Sequence, residues 1–234
     1  NALERRRLVL ESLDYERRLE QEVLDRTEDI RKREEEITLH LISASDYRDE
    51  ETGAHVRRLG LYAMVLAREL GWHHGPVEYI RVAAPMHDVG KIGIPDAVLR
   101  KPGKLTEEEF AIIKTHSEIG ARILGGSDIP LLQMAADIAL FHHEKWDGSG
   151  YPQGLKGEAI PEAARIVAVA DVYDALVNAR VYRPALPEEE AIAIMSKGRG
   201  THFDPAIYDV FFRVLPMFRE ILAKHADTVV PVPQ

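Results

Sequence analysis

Two adjacent imidazoles, His142 and His143, stand at the end of the apolar run Ile138–Phe141 and are followed by Glu144 and Asp147. The break Gly148-Ser149-Gly150-Tyr151-Pro152 comes next. Neighbouring side chains on a helix diverge by about 100°, so both imidazoles serve one site only where the helix faces a polar centre. Other parts of the chain offer partners of the same kind: Glu51 four residues before His55, the pair His87-Asp88, His116, and Asp171. Glu51 and His55 share a helix face at that spacing. His87-Asp88 and Asp171 end or interrupt apolar helices, where an unpaired carboxylate is costly. The set holds five imidazoles and three carboxylates, too many donors for one six-coordinate ion. Two or three divalent ions sharing a bridging carboxylate would use them all, and Asp88 is the bridge we expect. Two ions ~3.5–4 Å apart clamp a phosphoryl group and lower the pKa of a water between them. Lys91, on a glycine-flanked turn three residues after Asp88, can offer its ammonium to a phosphate oxygen. These residue types therefore point to metal-assisted hydrolysis of a phosphoester, with Asp88 and Lys91 central to catalysis.

Composition narrows the alternatives. The 234 residues suffice for one sizeable domain and an appendage, with 45% hydrophobic and 29% charged residues. Cysteine is absent, so the metal must be held by imidazole and carboxylate. Such a site suits iron or manganese, and also nickel, cobalt or zinc. A formal charge of −9 argues against binding a nucleic acid polymer. No apolar run approaches the ~18 residues of a membrane span, and the charged start is no signal peptide. A cytoplasmic protein is expected.

The elements that must position these residues read as helix after helix, so the fold class expected is all-α. Residues 1–40 form a charged segment; from it and into the residues just beyond, Val9, Val23, Ile30, Ile37 and Ala44 recur in steps of seven, with Leu13 and Leu41 four residues after a step. Glu16, Glu20, Thr27 and Glu34 interrupt the seam. We read a two-stranded coiled coil of modest stability, making a parallel homodimer; a lone solvated helix or charged linker is the alternative. The start at Asn1 inside helical text suggests an upstream sensory or receiver domain. Helices are expected over 46–70, from Val77 to Met86 with His87-Asp88 at its end, and from the Thr106/Glu109 capping box through His116. Others should span Pro130–Phe141, the stretch after Pro161 that bears Asp171 and Asp174, Glu188–Met195, and Asp204 to Leu222 with a kink at Pro216. The globular domain is placed at 41–225 and a frayed tail at 226–234.

His87-Asp88-Val89-Gly90-Lys91 with His143-Glu144-Lys145-Trp146-Asp147-Gly148-Ser149-Gly150-Tyr151-Pro152 resembles the signature pair of the HD-GYP family, bacterial metal-dependent phosphohydrolases of cyclic di-GMP. The resemblance runs over about residues 40–222. It implies an HD-type helical bundle around a bi- or trinuclear centre of iron or manganese, with pGpG and GMP as products. The eight donors above carry over as ligands, Lys91 as phosphate contact, and Glu51 as the position that favours a third ion. Tyr151, Asp174, Arg180 and Arg183 are the implied substrate contacts, the Gly150-Tyr151-Pro152 loop shaping access. Where the family reads Arg-Pro-Tyr-Arg this chain has Arg180-Val181-Tyr182-Arg183, which alters how Arg183 is aimed. Two other readings stand beside this one: a hydrolase of another nucleotide such as cyclic GMP–AMP, and a module that binds cyclic di-GMP without turnover.

Overall fold

The computed structural model describes residues 2–46, 53–179 and 184–226. Glu51, Arg180 and Arg183 lie outside the described residues, as do the side chains of Ile37, Leu41 and Ala44 and the tail 227–234. Among the described residues the architecture is helical, with only an isolated bridge between Arg199 and Phe203 in extended pairing. Contacts divide the chain into two compact units, 1–40 and 41–234.

The first unit is drawn from helix α1 (Ala2–Asp46). No glycine or proline interrupts it, and pairs such as Arg7–Glu11 and Arg26–Glu22 join charges four residues apart along its surface. Such pairs contribute little each, about 0.3–0.5 kcal/mol. Val9, Leu13, Val23 and Ile30 on the seven-residue seam are all exposed, as are Leu10 and Leu24 beside it.

The second unit is organised on α2 (Gly53–Glu69), whose Leu59, Tyr62, Ala63 and Leu66 are wholly buried. Their three- and four-residue spacing makes one face of a helix. This helix packs against α3 (His74–Ala83), α8 (Glu162–Val177) and α10 (Pro205–Lys224). The approach of α2 to α3 is so close that a Cβ on Gly60 would lie 2.3 Å from the Arg81 carbonyl oxygen. Alanine and valine cover α8 nearly all round, so it threads the core with both faces buried. Between them lie the short α4 (Asp96–Leu99), α5 (Glu107–Lys114), α6 (His116–Leu124), α7 (Pro130–Phe141) and α9 (Glu188–Lys197). The capping box forms as expected: Thr106 Oγ1 accepts from the Glu109 amide, and Glu109 Oε2 accepts from the Thr106 amide.

Three expected helices end differently. The helix from Val77 closes at Ala83, and a 3-10 turn, Ala84–Met86, with Pro85 inside it, follows before His87. Asp88 then takes φ −102° and ψ 6°, between this turn and a second 3-10 segment, Val89–Gly93. That bridge region of backbone space is one in which site residues are often held. The helix from Thr106 stops before His116, because Thr115 Oγ1 donates to the Ile112 carbonyl at 2.7 Å and the His116 ring takes the Ile113 carbonyl. His116 therefore opens α6. Finally, α10 continues through Pro216 to Lys224.

Candidate metal centre

Three of the histidines are fixed by carbonyls at the ends of short helices, groups that helix geometry leaves without an internal donor. His87 Nδ1 lies 3.2 Å from the Ala84 carbonyl oxygen, and His116 Nδ1 lies 2.7 Å from that of Ile113. His142 Nδ1 lies 3.0 and 3.1 Å from the carbonyls of Ile138 and Ala139. A carbonyl only accepts, so each Nδ1 carries the proton and donates it. Each Nε2 is the ring atom left to face the centre, and these atoms turn towards one another. His116 Nε2 and His142 Nε2 are 3.4 Å apart. Burial keeps the His142 and His143 imidazoles neutral by pushing their pKa values down, and neighbouring histidines add to the effect at His143.

His55 follows the same rule with a carboxylate in place of a carbonyl. Its Nδ1 is 2.7 Å from Asp174 Oδ2, and Asp174 also receives Arg58 through Nε at 2.7 Å and Nη2 at 2.8 Å. Burial pushes the Asp174 carboxyl up, but the bonds from Arg58 and His55 outweigh it and hold the group below the ordinary carboxylate range. His55 thus donates through Nδ1, and its Nε2 stands 4.0 Å from Asp171 Oδ1.

Asp88 sits where these nitrogens meet. Its Oδ1 is 3.1 Å from His116 Nε2 and 3.6 Å from His142 Nε2, while Oδ2 is 3.1 Å from His87 Nε2 and 2.6 Å from Lys91 Nζ. Burial raises the Asp88 carboxyl, yet His87 and Lys91 foremost keep it well below the usual range. Gly90 lets this turn approach α6: a Cβ there would stand 1.9 Å from the His116 carbonyl oxygen.

Ligand-capable atoms gather in two groups, Asp88 with His116, His142 and His143, and His55 with His87 and Asp171, each set lying within 4.8 Å of one another. Seven of the eight expected donors are thereby brought together, and Glu51 lies outside the described residues. This donor set fits divalent cations. Imidazoles whose Nδ1 protons are committed to carbonyls turn Nε2 towards a carboxylate, the arrangement in which ring nitrogens and carboxylate oxygens can hold a divalent cation together.

Tyr151 stacks on the His143 ring, centroids 4.7 Å apart, and burial raises its hydroxyl pKa. Lys91 keeps 17% of its side chain exposed, beside Asp88. Asp174 corrects an expectation. It is 1% exposed with both oxygens engaged by Arg58 and His55, so it can act on a substrate only through His55. Sequence reasoning missed Arg58, itself 1% exposed, although its place three residues after His55 puts a cation on an apolar face. It also missed the task of Glu144, a buried carboxylate that accepts from the Gln153 amide at 2.7 Å and the Leu155 amide at 3.0 Å. Those bonds pin the loop that carries Tyr151.

Residues 41–207 match the family model of the HD domain. The chain is 49% identical over 195 residues to the cyclic di-GMP phosphodiesterase response regulator RpfG of Xanthomonas campestris, covering 83% of this chain and 52% of that protein. It is 45% identical over 218 residues to a cyclic di-GMP phosphodiesterase of Vibrio cholerae, covering 87% of this chain and 44% of that protein. The chain spans about half the length of the curated relatives it matches. Among solved structures, a V. cholerae cyclic GMP-AMP specific phosphodiesterase superimposes with a TM-score of 0.61 at 21% identity, over 83% of this chain and 51% of that one, which shows a shared fold. No helix among the described residues is long and apolar enough to cross a membrane.

Proposed function

We propose, from the premise that this chain belongs to the HD-domain family and within it to the HD-GYP group, that its buried histidine–aspartate centre hydrolyses cyclic di-GMP to pGpG or GMP. The observation that carries the reading is Asp88, which turns one oxygen to His116 and His142 and the other to His87. One carboxylate can in that way serve two ions. The names of relatives 45% and 49% identical support the choice of substrate.

Asp88, His116, His142 and His143 would hold one ion, and His55, His87 and Asp171 with Asp88 a second; Glu51 is the proposed ligand of a third. Iron or manganese is the proposed occupant on the family resemblance; the imidazole and carboxylate set itself admits nickel, cobalt or zinc as well. Divalent ions, when bound, polarise the phosphoryl group and bring the pKa of a water towards neutrality. The chain's own part is orientation and charge. Carbonyls and Asp174 aim the Nε2 lone pairs inward, and Lys91 presents an ammonium to a non-bridging phosphate oxygen. Tyr151, Arg180 and Arg183 are the proposed contacts to the rest of the substrate.

Regulation in this reading comes through α1. Its exposed seam of Val9, Leu13, Val23 and Ile30 would pair with a second copy and pass on the state of an upstream sensory or receiver domain in the cytoplasm. Sedimentation of the chain with and without residues 1–36 tests the pairing; if both forms are monomers at micromolar concentration, it fails.

The deciding experiment is elemental analysis of anaerobically purified protein alongside chromatography of products from cyclic di-GMP and from cyclic GMP–AMP. Two or three ions per chain and release of pGpG or GMP are expected, and Glu51→Ala should lower the content by about one equivalent. Protein that holds its metal and leaves cyclic di-GMP intact would refute the assignment.

A further inference from the structure

Helix α5 is amphipathic in an unusual sense. Its first turn carries Glu107, Glu108 and Glu109, it buries none of its residues, and it still presents Phe110 with 47% of its surface exposed. Lys114 follows Phe110 by four residues and so shares its face. The pair does not point into bulk solvent. The Phe110 ring meets Tyr151 edge to face with centroids 6.4 Å apart, and Tyr151 in turn stacks on His143 at 4.7 Å. The ammonium of Lys114 lies 5.1 Å from the Phe110 centroid and 5.7 Å from that of Tyr151. A row of π-systems therefore leads from a histidine of the candidate centre outward, with a cation over its outer two rings.

We infer that Phe110 and Lys114 form the outer wall of the substrate site, where Phe110 stacks with a purine base and Lys114 neutralises the phosphodiester that is not being cleaved. This rests on the substrate reading given above and adds two residues that determine affinity for it. Phe110 leaves about half of its surface open beside Tyr151 and Lys114, so a flat ligand has a ring face to stack on there. A nucleobase is such a ligand, every base having a π face, and an ammonium within 6 Å of the rings suits a ligand that is both aromatic and anionic. The chain as a whole repels such a ligand with its formal charge of −9, so local cations must offset that field. Lys91 does so at Asp88 and Lys114 at the aromatic rim.

The test compares Phe110→Ala, Phe110→Trp and Lys114→Gln in the full chain loaded with metal. Steady-state kinetics are measured on cyclic di-GMP and on methyl p-nitrophenyl phosphate, which has the scissile chemistry and no purine. Loss of one base–aromatic stack should lower kcat/KM for cyclic di-GMP relative to the small ester by roughly 5- to 100-fold, mostly through KM. Phe110→Trp should restore the ratio, and Lys114→Gln should lower it in a manner that weakens with added salt. A cyclic dinucleotide carrying 2-aminopurine gives a readout independent of turnover, since stacking quenches its fluorescence, and the quench should disappear in Phe110→Ala. Equal losses on both substrates, or a quench that survives in Phe110→Ala, would overturn the assignment and leave the phosphodiesterase reading intact. A wild-type chain that cleaves the small ester and neither cleaves nor binds the cyclic dinucleotides would defeat both.

Discussion

Replacing Arg58 by methionine keeps the volume of the side chain and removes its charge. In the native chain the guanidinium is buried, donates from Nε and Nη2 to the two oxygens of Asp174, and donates from Nη1 to the His225 carbonyl at 2.8 Å. Breaking a buried ion pair by removing one partner costs about 3–5 kcal/mol, because the other charge stays behind uncompensated. For a domain of this size that is a fall in melting temperature of roughly 6–20 °C. The metal-chelated protein is the right sample, since bound ions would add their own stabilisation. The pH dependence carries the sharper test. In the native fold Asp174 is held below its unfolded pKa, so its contribution is full above the ordinary carboxylate range and is lost as pH falls through the depressed folded value. Without Arg58, burial dominates and the carboxyl rises. The stability gap between the two proteins should therefore be widest near neutral pH and shrink as the solution is acidified. Asp174→Asn should cost a similar amount, and the double variant clearly less than the sum. The effect should reach the centre as well: Asp174 fixes the proton on His55 Nδ1, and disturbing such an outer contact typically weakens metal binding 10- to 100-fold. A gap below about 1 kcal/mol that does not vary with pH, with unchanged Mn²⁺ affinity, would refute the reasoning.

Two other positions are tested more simply. Glu144→Gln turns one acceptor oxygen into an amide facing the Gln153 and Leu155 amides, so it should cost about 2 kcal/mol locally and speed hydrogen exchange at those two amides roughly 30-fold; unchanged exchange would show that the loop is held by other contacts. Gly90→Ala would drive a methyl to 1.9 Å from the His116 carbonyl oxygen and 2.4 Å from the Gly120 amide nitrogen, so urea unfolding should show a loss of about 3 kcal/mol, with reduced metal uptake. A loss below about 1 kcal/mol would mean that α6 can shift aside.

Much of this architecture is legible in the sequence, and the reason differs from element to element. Leu59, Ala63 and Leu66 announce α2 through spacing alone, and Thr106 with Glu109 announces the start of α5 through side-chain chemistry confined to four residues. Donor type does the same for the centre: an Asp88 closing an apolar stretch demands a partner, and the chain holds few candidates. What escaped depends on contacts that have no local period. The break at Thr115 arises because two side chains take the Ile112 and Ile113 carbonyls that α5 would otherwise have used, a choice settled by where His116 must point. The Arg58–Asp174 pair joins residues 116 positions apart, and nothing in either neighbourhood names the other. Asp174 was assigned to substrate for the same reason. A carboxylate three residues beyond Asp171 shares its helix face, and sequence alone does not tell which of the two lies nearer the solvent. The structure separates them by depth. Asp171 keeps about a fifth of its side chain exposed beside His55 Nε2, and Asp174 lies beneath it on Nδ1 of the same ring. A single imidazole thus divides two like carboxylates into one that faces the site and one that holds the ring in place.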